Sequence, residues 1–366
     1  MKVALVYDRV NKWGGAERVL LALKKIFPSA PLFTSVYNPK TAKWANVFTI
    51  HPSFLQNSPF PKKHELLAPL MPLAFEQFSF DEYDLVISVT SEAAKGIITK
   101  PGTKHICICL TPTRYLWSGY EEYVPQGLFR FFSAPLVSYL RGWDKVAATR
   151  PDIMVAISKE VQKRIREYYD RSSEILYPPL EETFFEPISN EDEVLKQYSL
   201  TKRGYFLVVS RLSKFTRYKR VDQAITAANK LQLPLIIAGD GDIPYFSSLA
   251  GPTVRFLGKV SDADLKVLYT NCKALIFPAK EDFGLVMAEA QACGSPVIAY
   301  AEGGALDIVV PNKTGLLYEK QTIDELIRAL KTFNEKDYNS LYCRQNAKRF
   351  AFSHFEKQIK ALLHSL

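Results

Sequence analysis

Short apolar runs alternate with longer amphipathic segments along the whole 366-residue chain. The runs are rich in valine, isoleucine and leucine, which is typical of parallel strands that are covered on both faces. In the first half, strands are predicted at residues 3–7, 32–36, 85–89, 105–110 and 153–158. In the second half, they are predicted at residues 205–210, 233–239, 254–258, 274–279, 296–300 and 314–318. Because helical segments, such as residues 16–27, follow most of these runs, the pattern predicts α/β domains with parallel sheets.

The segment at residues 177–193 interrupts this alternation with paired prolines and a run of acidic residues. Such a break is typical of a connection between domains, and a chain of this length exceeds what one core usually holds. We therefore predict a first doubly wound domain at residues 1–180 and a second at residues 181–345. The amphipathic segment at residues 346–366 is predicted to form a C-terminal helix that packs back on the first domain.

The composition is that of an ordinary globular protein, with 47% hydrophobic and 23% charged residues. No apolar run approaches the roughly 20 residues that a transmembrane helix needs. The opening residues are predicted to form a strand and not a signal peptide, so we expect a cytoplasmic protein. The five cysteines lack the paired spacing of a zinc site and are expected to be reduced residues of the core.

The net charge of +9 is concentrated in the first half of the chain. Residues 1–180 contain 23 lysines and arginines against 16 aspartates and glutamates. Such an excess is typical of proteins that face nucleic acid, an anionic membrane or a phosphorylated substrate, and it also serves solubility alone. No compact basic helix or nucleic-acid motif is present, so a basic nucleic-acid-binding protein is kept as the non-enzymatic alternative.

Two segments, at residues 60–80 and 128–150, combine basic and aromatic residues. This combination is typical of surfaces that enter the interface of an anionic bilayer, and packing inside the protein is the alternative. We therefore expect a peripheral association with the inner face of the cell membrane. The candidate membrane contacts are Lys62, Lys63, Phe129, Arg130, Phe131, Phe132 and Arg141.

Two cations in the second half are placed to bind one anion. Arg211 lies at the carboxyl end of the predicted strand 205–210, where open α/β sheets bind their ligands. Lys219 comes just before a predicted helix. Two cations and a helix N-terminus together suit a diphosphate, and a solvated basic loop is the alternative.

The sequence EDFGLVMAE adds two carboxylates to this region. Glu281 falls in the loop after the predicted strand 274–279, and Glu289 lies two turns into the next helix. Carboxylates accept strong hydrogen bonds from sugar hydroxyls, so we expect Glu281 to bind a transferable sugar and Glu289 a ribose. The alternative is that both acids merely favour the helix N-terminus.

Gly284 opens the same predicted helix and has no side chain. A phosphate is therefore expected to approach the first backbone N–H groups of the helix closely. These groups belong to Gly284, Leu285 and Val286. Together, the cations, the carboxylates and the helix start predict a nucleotide-sugar site.

These residues resemble the donor site of the large retaining glycosyltransferase family 4. Further segments agree with that family at residues 238–242, 256–279 and 303–318. The resemblance covers essentially the whole chain and implies a GT-B fold, in which two Rossmann-like domains face each other across a deep cleft. It implies that Arg211, Lys219 and Glu281 are catalytic. It also implies donor contacts from Gly14, Gly15, Arg211, Lys219, Val260, Glu281, Phe283, Gly284, Leu285, Val286 and Glu289.

The resemblance further implies transfer with retention at the anomeric carbon. In the expected front-face route, the acceptor hydroxyl attacks from the side on which the diphosphate departs. The departing phosphate itself takes the acceptor proton. Catalysis then depends on stabilising the negative charge of the leaving group, a role assigned to Arg211, Lys219 and the helix that begins at Gly284.

The sequence LTPTRYLWSGYEEY resembles a subgroup that includes mannosyltransferases of polysaccharide assembly. In that subgroup a histidine precedes Thr-Pro, whereas this chain has Leu110; His51, His64 and His105 are expected to be ordinary surface or strand-edge residues. The resemblance implies GDP-mannose as the first donor to test, with UDP-sugars as the alternative. It implies a saccharide or lipid-linked saccharide acceptor in cell-surface polysaccharide synthesis. The candidate acceptor-side residues are Arg114, Tyr115 and Trp117.

No cofactor and no metal are expected, since the nucleotide sugar is a substrate. Asp240 and Asp242 superficially match the carboxylate pair with which other glycosyltransferases bind manganese. Their position after the predicted strand 233–239 matches the glycine turn of the resembled family instead. A GT-B-type nucleotide-sugar epimerase is the enzymatic alternative, although the catalytic acids and histidines of such enzymes are not found in this sequence.

Overall fold

The computed structural model of the chain describes residues 1–57, 64–124, 127–214 and 219–366, without the side chains of residues 64–66, 128 and 129. Lys62 and Lys63, two of the candidate membrane contacts, lie outside the described residues, as does the side chain of Phe129. The chain divides into two compact units. The first unit comprises Met1–Pro179 with Phe355–Leu366, and the second comprises Leu180–His354.

The first unit is built on a sheet of seven parallel strands. These are β1 (Val3–Tyr7), β2 (Leu32–Thr34), β3 (Ile50–Pro52), β4 (Leu85–Thr90), β5 (Lys104–Cys109), β6 (Ile153–Ala156) and β7 (Glu174–Ile175). Their spatial order is β3-β2-β1-β4-β5-β6-β7. The chain proceeds from β1 to one edge, then resumes at β4 and proceeds to the other, so the point at which the strand order reverses lies between β1 and β4.

The second unit repeats this plan with six parallel strands. These are β8 (Phe206–Val209), β9 (Leu235–Ala238), β10 (Val254–Gly258), β11 (Leu275–Phe277), β12 (Val297–Tyr300) and β13 (Gly315–Tyr318). Their spatial order is β10-β9-β8-β11-β12-β13. The strand order of this sheet therefore reverses between β8 and β11. The place of reversal in each sheet is its switch point.

Helices connect the strands in both units. In the first unit they are α1 (Gly15–Ile26), α2 (Met71–Glu76), α3 (Tyr120–Tyr123), α4 (Leu128–Thr149) and α5 (Lys159–Tyr169). Later in the chain they are α6 (Glu191–Gln197), α7 (Val221–Leu231), α8 (Ile243–Ser247), α9 (Asp262–Asn271), α10 (Leu285–Ala292), α11 (Ala305–Ile308), α12 (Ile323–Thr332), α13 (Ser340–Ala347) and α14 (Phe352–His364). Within the described ranges, no helix is both long enough and apolar enough to cross a bilayer.

Hydroxyl side chains set the starts of three of these helices. Ser158 accepts a hydrogen bond from the third backbone N–H of α5, at 3.1 Å. Ser261 caps α9 with the same geometry, also at 3.1 Å, and Thr322 caps α12 at 3.3 Å. Each cap satisfies a donor that has no partner inside the helix, which typically contributes about 1 kcal/mol.

All eleven strands that the sequence predicts are present, with ends that differ by at most two residues. This confirms the predicted fold class of two doubly wound α/β domains. The strands β3 and β7 were not predicted. Both are short edge strands whose residues are half-buried or exposed, so neither carries an apolar run that would mark it. The five cysteines are buried and free of disulfides, as predicted.

The segment at residues 346–366 is not the single helix that the sequence predicts. The helix α13 ends at Ala347, and α14 begins only at Phe352. Between them, the carbonyl of Phe350 accepts a hydrogen bond of 2.7 Å from the N–H of Leu180, and Ala351 is extended. This pairing with a distant segment breaks the helix, and no feature of the local sequence predicts the break.

His105 lies inside the first sheet and not at a surface or strand edge, where it was expected. It is the second residue of β5, is 1% exposed, and its Nε2 lies 2.8 Å from the hydroxyl of Ser88. Burial lowers the pKa of His105 to about 3, helped by the positive charges of Arg171 and Arg150. The ring therefore stays neutral in the folded protein at pH values where an unfolded chain protonates it.

This burial predicts a pH-dependent stability. The contribution of His105 is present above its unfolded pKa of 6.5 and is lost as the pH falls toward 3, because only the unfolded state takes up the proton. Between pH 6.5 and about pH 5 the loss amounts to about 2 kcal/mol. Urea unfolding of a His105→Gln variant should show a smaller loss of stability over this range than the wild type. The exposed His354, replaced by glutamine, is the control; equal losses in all three proteins would contradict the assignment.

Candidate functional site

The predicted catalytic residues flank the switch point of the second unit. Arg211 follows β8 by two residues and is exposed, and Glu281 lies in the loop between β11 and α10. Lys219 lies just before α7, and its Nζ forms an ion pair with the carboxylate of Glu281. The two side chains are 26% and 16% exposed, so the pair is accessible from solvent. The structure therefore brings Lys219 and Glu281 into contact at the predicted place.

Two glycines fix the loop that carries Glu281. The N–H of Gly304 donates a hydrogen bond of 2.8 Å to the carbonyl of Glu281. A Cβ on Gly304 would lie 1.9 Å from the carbonyl oxygen of Phe283, and a Cβ on Gly303 would lie 2.2 Å from that of Glu281. Because real atoms do not approach so closely, only glycine permits this contact between the two loops.

The loop that carries Arg211 is held in the same way. The N–H of Leu212 donates to the carbonyl of Asp240 at 2.8 Å. Cβ atoms on Gly239 and Gly241 would lie 1.8 and 2.0 Å from the carbonyl oxygens of the Arg211 loop. The backbone that carries Arg211 is therefore fixed by its contacts with the loop that follows β9.

Asp240 and Asp242 stabilise this glycine turn through hydrogen bonds. The carboxylate of Asp240 accepts the N–H of Gly241 at 2.8 Å, and that of Asp242 accepts the N–H of Lys214 at 2.9 Å. Both side chains therefore bond to backbone groups, as expected for acids in a turn. Within the described ranges, no group of three or more histidine, cysteine, aspartate or glutamate side chains is arranged to hold a metal ion.

Gly284 is required by the backbone itself. Its φ is +88°, in the left-handed region, and a Cβ would lie 2.5 Å from Cε of Met287. The helix α10 begins immediately after it, and Leu285 and Val286 are half-buried. From the sequence, close approach of a phosphate was the expected reason for this glycine; the structure adds a conformational reason that holds without any ligand.

Two predicted donor contacts have buried side chains. Glu289 is 2% exposed, and its Oε2 accepts a hydrogen bond of 2.8 Å from the hydroxyl of Tyr269. Phe283 is 3% exposed and packs edge-on against Phe350, with 5.4 Å between the ring centroids. Val260 is half-buried between β10 and α9. The structure thus presents Glu281, but not Glu289, as a carboxylate at the surface of the second unit.

Gly14 and Gly15, the predicted donor contacts of the first unit, lie at the start of α1. Gly14 is extended and precedes the helix, and Gly15 is its exposed first residue. Two residues further on, the buried carboxylate of Glu17 accepts a hydrogen bond of 2.8 Å from the hydroxyl of Tyr7. Burial raises the pKa of Glu17, and the Tyr7 hydrogen bond opposes this rise. Glu17 was not identified from the sequence, because it resembles any acid in the first turn of a helix.

The acceptor-side candidates differ in their surroundings. Trp117 donates its indole N–H to the carboxylate of Asp144 at 2.7 Å, so its position is fixed by the interior of the first unit. Tyr115 is half-buried, and burial raises its pKa well above the ordinary value, with a further rise from the charge of Glu92. Arg114 is half-buried as well.

Two ion pairs of the first unit were not identified from the sequence. Lys95 and Asp144 are each 1% exposed, with 2.5 Å between Nζ and Oδ1. The hydroxyl of Tyr169 donates to the same carboxylate at 2.8 Å. Arg9 pairs with Glu92, and these side chains are 15% and 14% exposed. All four residues are distant from their partners in sequence, so only the fold pairs them.

Comparison with known proteins finds a family match in the second unit. Residues 190–350 match the family model described as "Glycosyl transferases group 1". The chain is 32% identical over 138 residues to a GDP-mannose-dependent alpha-mannosyltransferase of Mycolicibacterium smegmatis, a match that covers 37% of this chain and 36% of the relative. It is 27% identical over 203 residues to a GDP-mannose-dependent alpha-(1-6)-phosphatidylinositol monomannoside mannosyltransferase of Mycobacterium tuberculosis, covering 49% and 51%. The matches thus span about a third to a half of the length of these curated relatives.

The fold of the whole chain has solved counterparts. The crystal structure of Anabaena HepE in complex with UDP-glucose superposes with a TM-score of 0.73 at 21% identity, and the superposition covers 100% of both chains. At this identity the likeness concerns the fold alone. It agrees with the two doubly wound units of this chain.

Proposed function

We propose that this protein is a retaining glycosyltransferase that binds a nucleotide sugar at the switch point of its second unit. The observation that carries the proposal is the ion pair of Lys219 and Glu281 at the switch point of the second sheet, where the exposed Arg211 follows β8. Open α/β sheets bind ligands at this place. The match of residues 190–350 to glycosyltransferases supports the assignment.

The ion pair suggests how the donor is received. The charge of Lys219 is balanced by Glu281. A diphosphate offers Lys219 and Arg211 a doubly charged partner, with which both cations can form charge-assisted hydrogen bonds. Glu281 is then released to accept hydrogen bonds from hydroxyls of the transferred sugar. The ion pair thus positions both side chains before the donor binds. Each of them exchanges its partner for a group of the donor on binding.

The transfer itself follows from this arrangement. The acceptor oxygen forms a bond to the anomeric carbon while the bond from that carbon to the diphosphate oxygen breaks, on the same face of the sugar. The acceptor proton passes to an oxygen of the departing diphosphate. Arg211, Lys219 and the backbone N–H groups at the start of α10 stabilise the negative charge that develops there. This step requires no metal and no cofactor.

GDP-mannose is the proposed donor, and a saccharide or lipid-linked saccharide of cell-surface polysaccharide synthesis is the proposed acceptor. The GDP-mannose-dependent relatives support the donor, whereas the structural counterpart with bound UDP-glucose supports a UDP-sugar as the alternative. The relative that acts on phosphatidylinositol monomannoside supports a lipid-linked acceptor.

A peripheral membrane location is part of the proposal. On α4, Phe131 is 74% and Phe132 is 75% exposed, which packing inside the protein does not explain. Arg130 instead pairs with Glu121, and Arg141 donates to the carbonyl of Leu116 at 2.7 Å. The exposed aromatic pair is therefore the proposed membrane contact.

Donor recognition can be tested by thermal shift with GDP-mannose, UDP-glucose and ADP-glucose. A ligand that binds only the folded state raises the free energy of unfolding, by about 2.7 kcal/mol at a concentration about one hundred times its Kd. The unfolding temperature rises accordingly. We expect GDP-mannose to give the largest shift. Hydrolysis of the stabilising sugar nucleotide is then measured. No shift with any of the three would refute the proposed function.

The roles of Arg211 and Lys219 predict the behaviour of two variants. Arg211→Ala and Lys219→Ala should each keep the wild-type unfolding temperature and lose on the order of 10²-fold in turnover of the donor, because each removes a preorganised contact to the leaving group. Lys230→Ala, an exposed change in the last turn of α7, is the matched control and should be fully active. The assay contains excess chelator, since no metal is required. Normal turnover by either test variant, or complete loss of wild-type turnover on chelation, would refute this mechanism.

Membrane binding can be tested by flotation with liposomes. The wild type should float with vesicles that contain anionic lipid, and Phe131→Ser with Phe132→Ser should reduce the bound fraction severalfold by removing two exposed rings. Exchange of the exposed Tyr342 in α13 for serine is the control. Equal flotation of the wild type and the double variant would contradict the assignment.

A further inference from the structure

The first unit carries a charged pair at its own switch point. Arg9 follows β1 by two residues, and Glu92 follows β4 by two residues. Arg211 has the same position after β8 in the second unit. The carboxyl ends of strands at a switch point are where open α/β sheets bind ligands. Arg9 and Glu92 therefore lie where the first sheet is expected to bind a ligand.

Both members of the pair keep unused hydrogen-bonding capacity. The guanidinium of Arg9 contacts Oε1 of Glu92 through Nη2. Within the described ranges, the remaining N–H groups of Arg9 and the second oxygen of Glu92 have no hydrogen-bond partner. The side chains of Arg9 and Glu92 are 15% and 14% exposed, so most of each is covered and a part of each reaches the surface. Rigid, partly covered polar groups of this kind suit a ligand that supplies the missing hydrogen bonds.

Asp8 positions both members. Its carboxylate is 2% exposed and accepts the N–H groups of Ser91, Ala93 and Ala94, at 2.6, 3.0 and 2.8 Å. These residues surround Glu92 in the chain, and Asp8 itself precedes Arg9. One buried carboxylate therefore holds the loop after β4 against the end of β1, which preorganises the pair.

The charges around the pair favour a neutral ligand. Arg9 balances Glu92, and Lys95 is balanced by Asp144. The remaining nearby cation, Lys12, acts on the carboxylates of Glu92 and Glu17. A phosphate or uronate would meet the buried carboxylates of Asp8 and Glu17 at this edge. A neutral sugar avoids that repulsion, and two of its adjacent hydroxyls match the pair: one donates to the carboxylate, and the other accepts from the guanidinium.

We propose that Arg9 and Glu92 form an acceptor subsite that binds adjacent hydroxyls of a neutral sugar residue. The inference rests on the proposed function and names the acceptor chemistry. Tyr115 lines a cavity of about 10 Å³ together with Glu92, which places a predicted acceptor-side residue beside the pair. A cavity of that size holds no more than one water molecule, so the sugar lies outside it, at the exposed side of the pair.

The pair also gives the subsite a pH signature. Burial raises the pKa of Glu92 to about 7, against the effect of Arg9. The charged groups that face Glu92 are Asp8 and Arg9 at the end of β1, Lys12 in the next loop and Lys95 after β4, with Tyr115 and Asp144 on the other side. Protonation below pH 7 removes the ion pair and one acceptor, so sugar binding weakens as the pH falls.

The test is ligand-observed NMR titration of the full chain with methyl α-D-mannopyranoside and, as the anionic counterpart, methyl β-D-glucuronide. The neutral glycoside should bind the wild type more tightly than the uronide does. Glu92→Gln and Arg9→Met should each weaken its binding by about 10-fold, the size expected for a hydrogen bond to a charged group. The wild-type affinity should fall between pH 8 and pH 6, and that of Glu92→Gln should not change.

Glu76→Gln is the matched control, because it breaks another part-buried ion pair of the first unit, with Arg150, and should keep the wild-type affinity. Unchanged binding by Glu92→Gln, tighter binding of the uronide or no binding of the neutral glycoside would overturn the proposal. Donor thermal shifts are recorded on the same samples. A normal donor shift together with any of these results refutes the subsite alone, whereas an absent donor shift in the wild type refutes the proposed function.

Discussion

Close contact between backbone loops at the carboxyl ends of the second sheet determines where the charged groups of the candidate site stand. Gly239 and Gly241 lie against the loop of Arg211, and Gly303 and Gly304 lie against the loop of Glu281. In each case a single Cβ would collide with a carbonyl oxygen of the neighbouring loop. The positions of a cation and a carboxylate are thus set by residues that themselves have no side chain, and a side chain at any of the four would displace them.

The two units hold the loops at their strand ends together by different interactions. In the second unit, glycines allow the loops to touch directly. In the first unit, the carboxylate of Asp8 joins the ends of β1 and β4 through backbone N–H groups. Each arrangement leaves a cation and a carboxylate in contact at a switch point: Lys219 with Glu281, and Arg9 with Glu92. In such a pair each charge offsets part of the desolvation cost of the other, and both groups can exchange partners with an incoming ligand.

The sequence predicted most of the fold because its central strands are continuous apolar runs, and it missed β3 and β7 because edge strands need no such run. It also assigned Lys219 and Glu281 to one site at the carboxyl edge of the second sheet, but the ion pair between them was not predicted. The burial of Glu289 against Tyr269 was not predictable, because it depends on how α9 and α10 pack. The pairs Lys95–Asp144 and Arg9–Glu92 join distant segments, so charge patterning along the chain gives no sign of them.

The division of the chain has a consequence for biosynthesis. The second unit, Leu180–His354, is an insertion within the first, whose last segment is Phe355–Leu366. A ribosome completes the inserted unit before it delivers the final helix of the host unit. The inserted unit is therefore free to fold before the chain delivers Phe355–Leu366, which the host unit needs for its own packing.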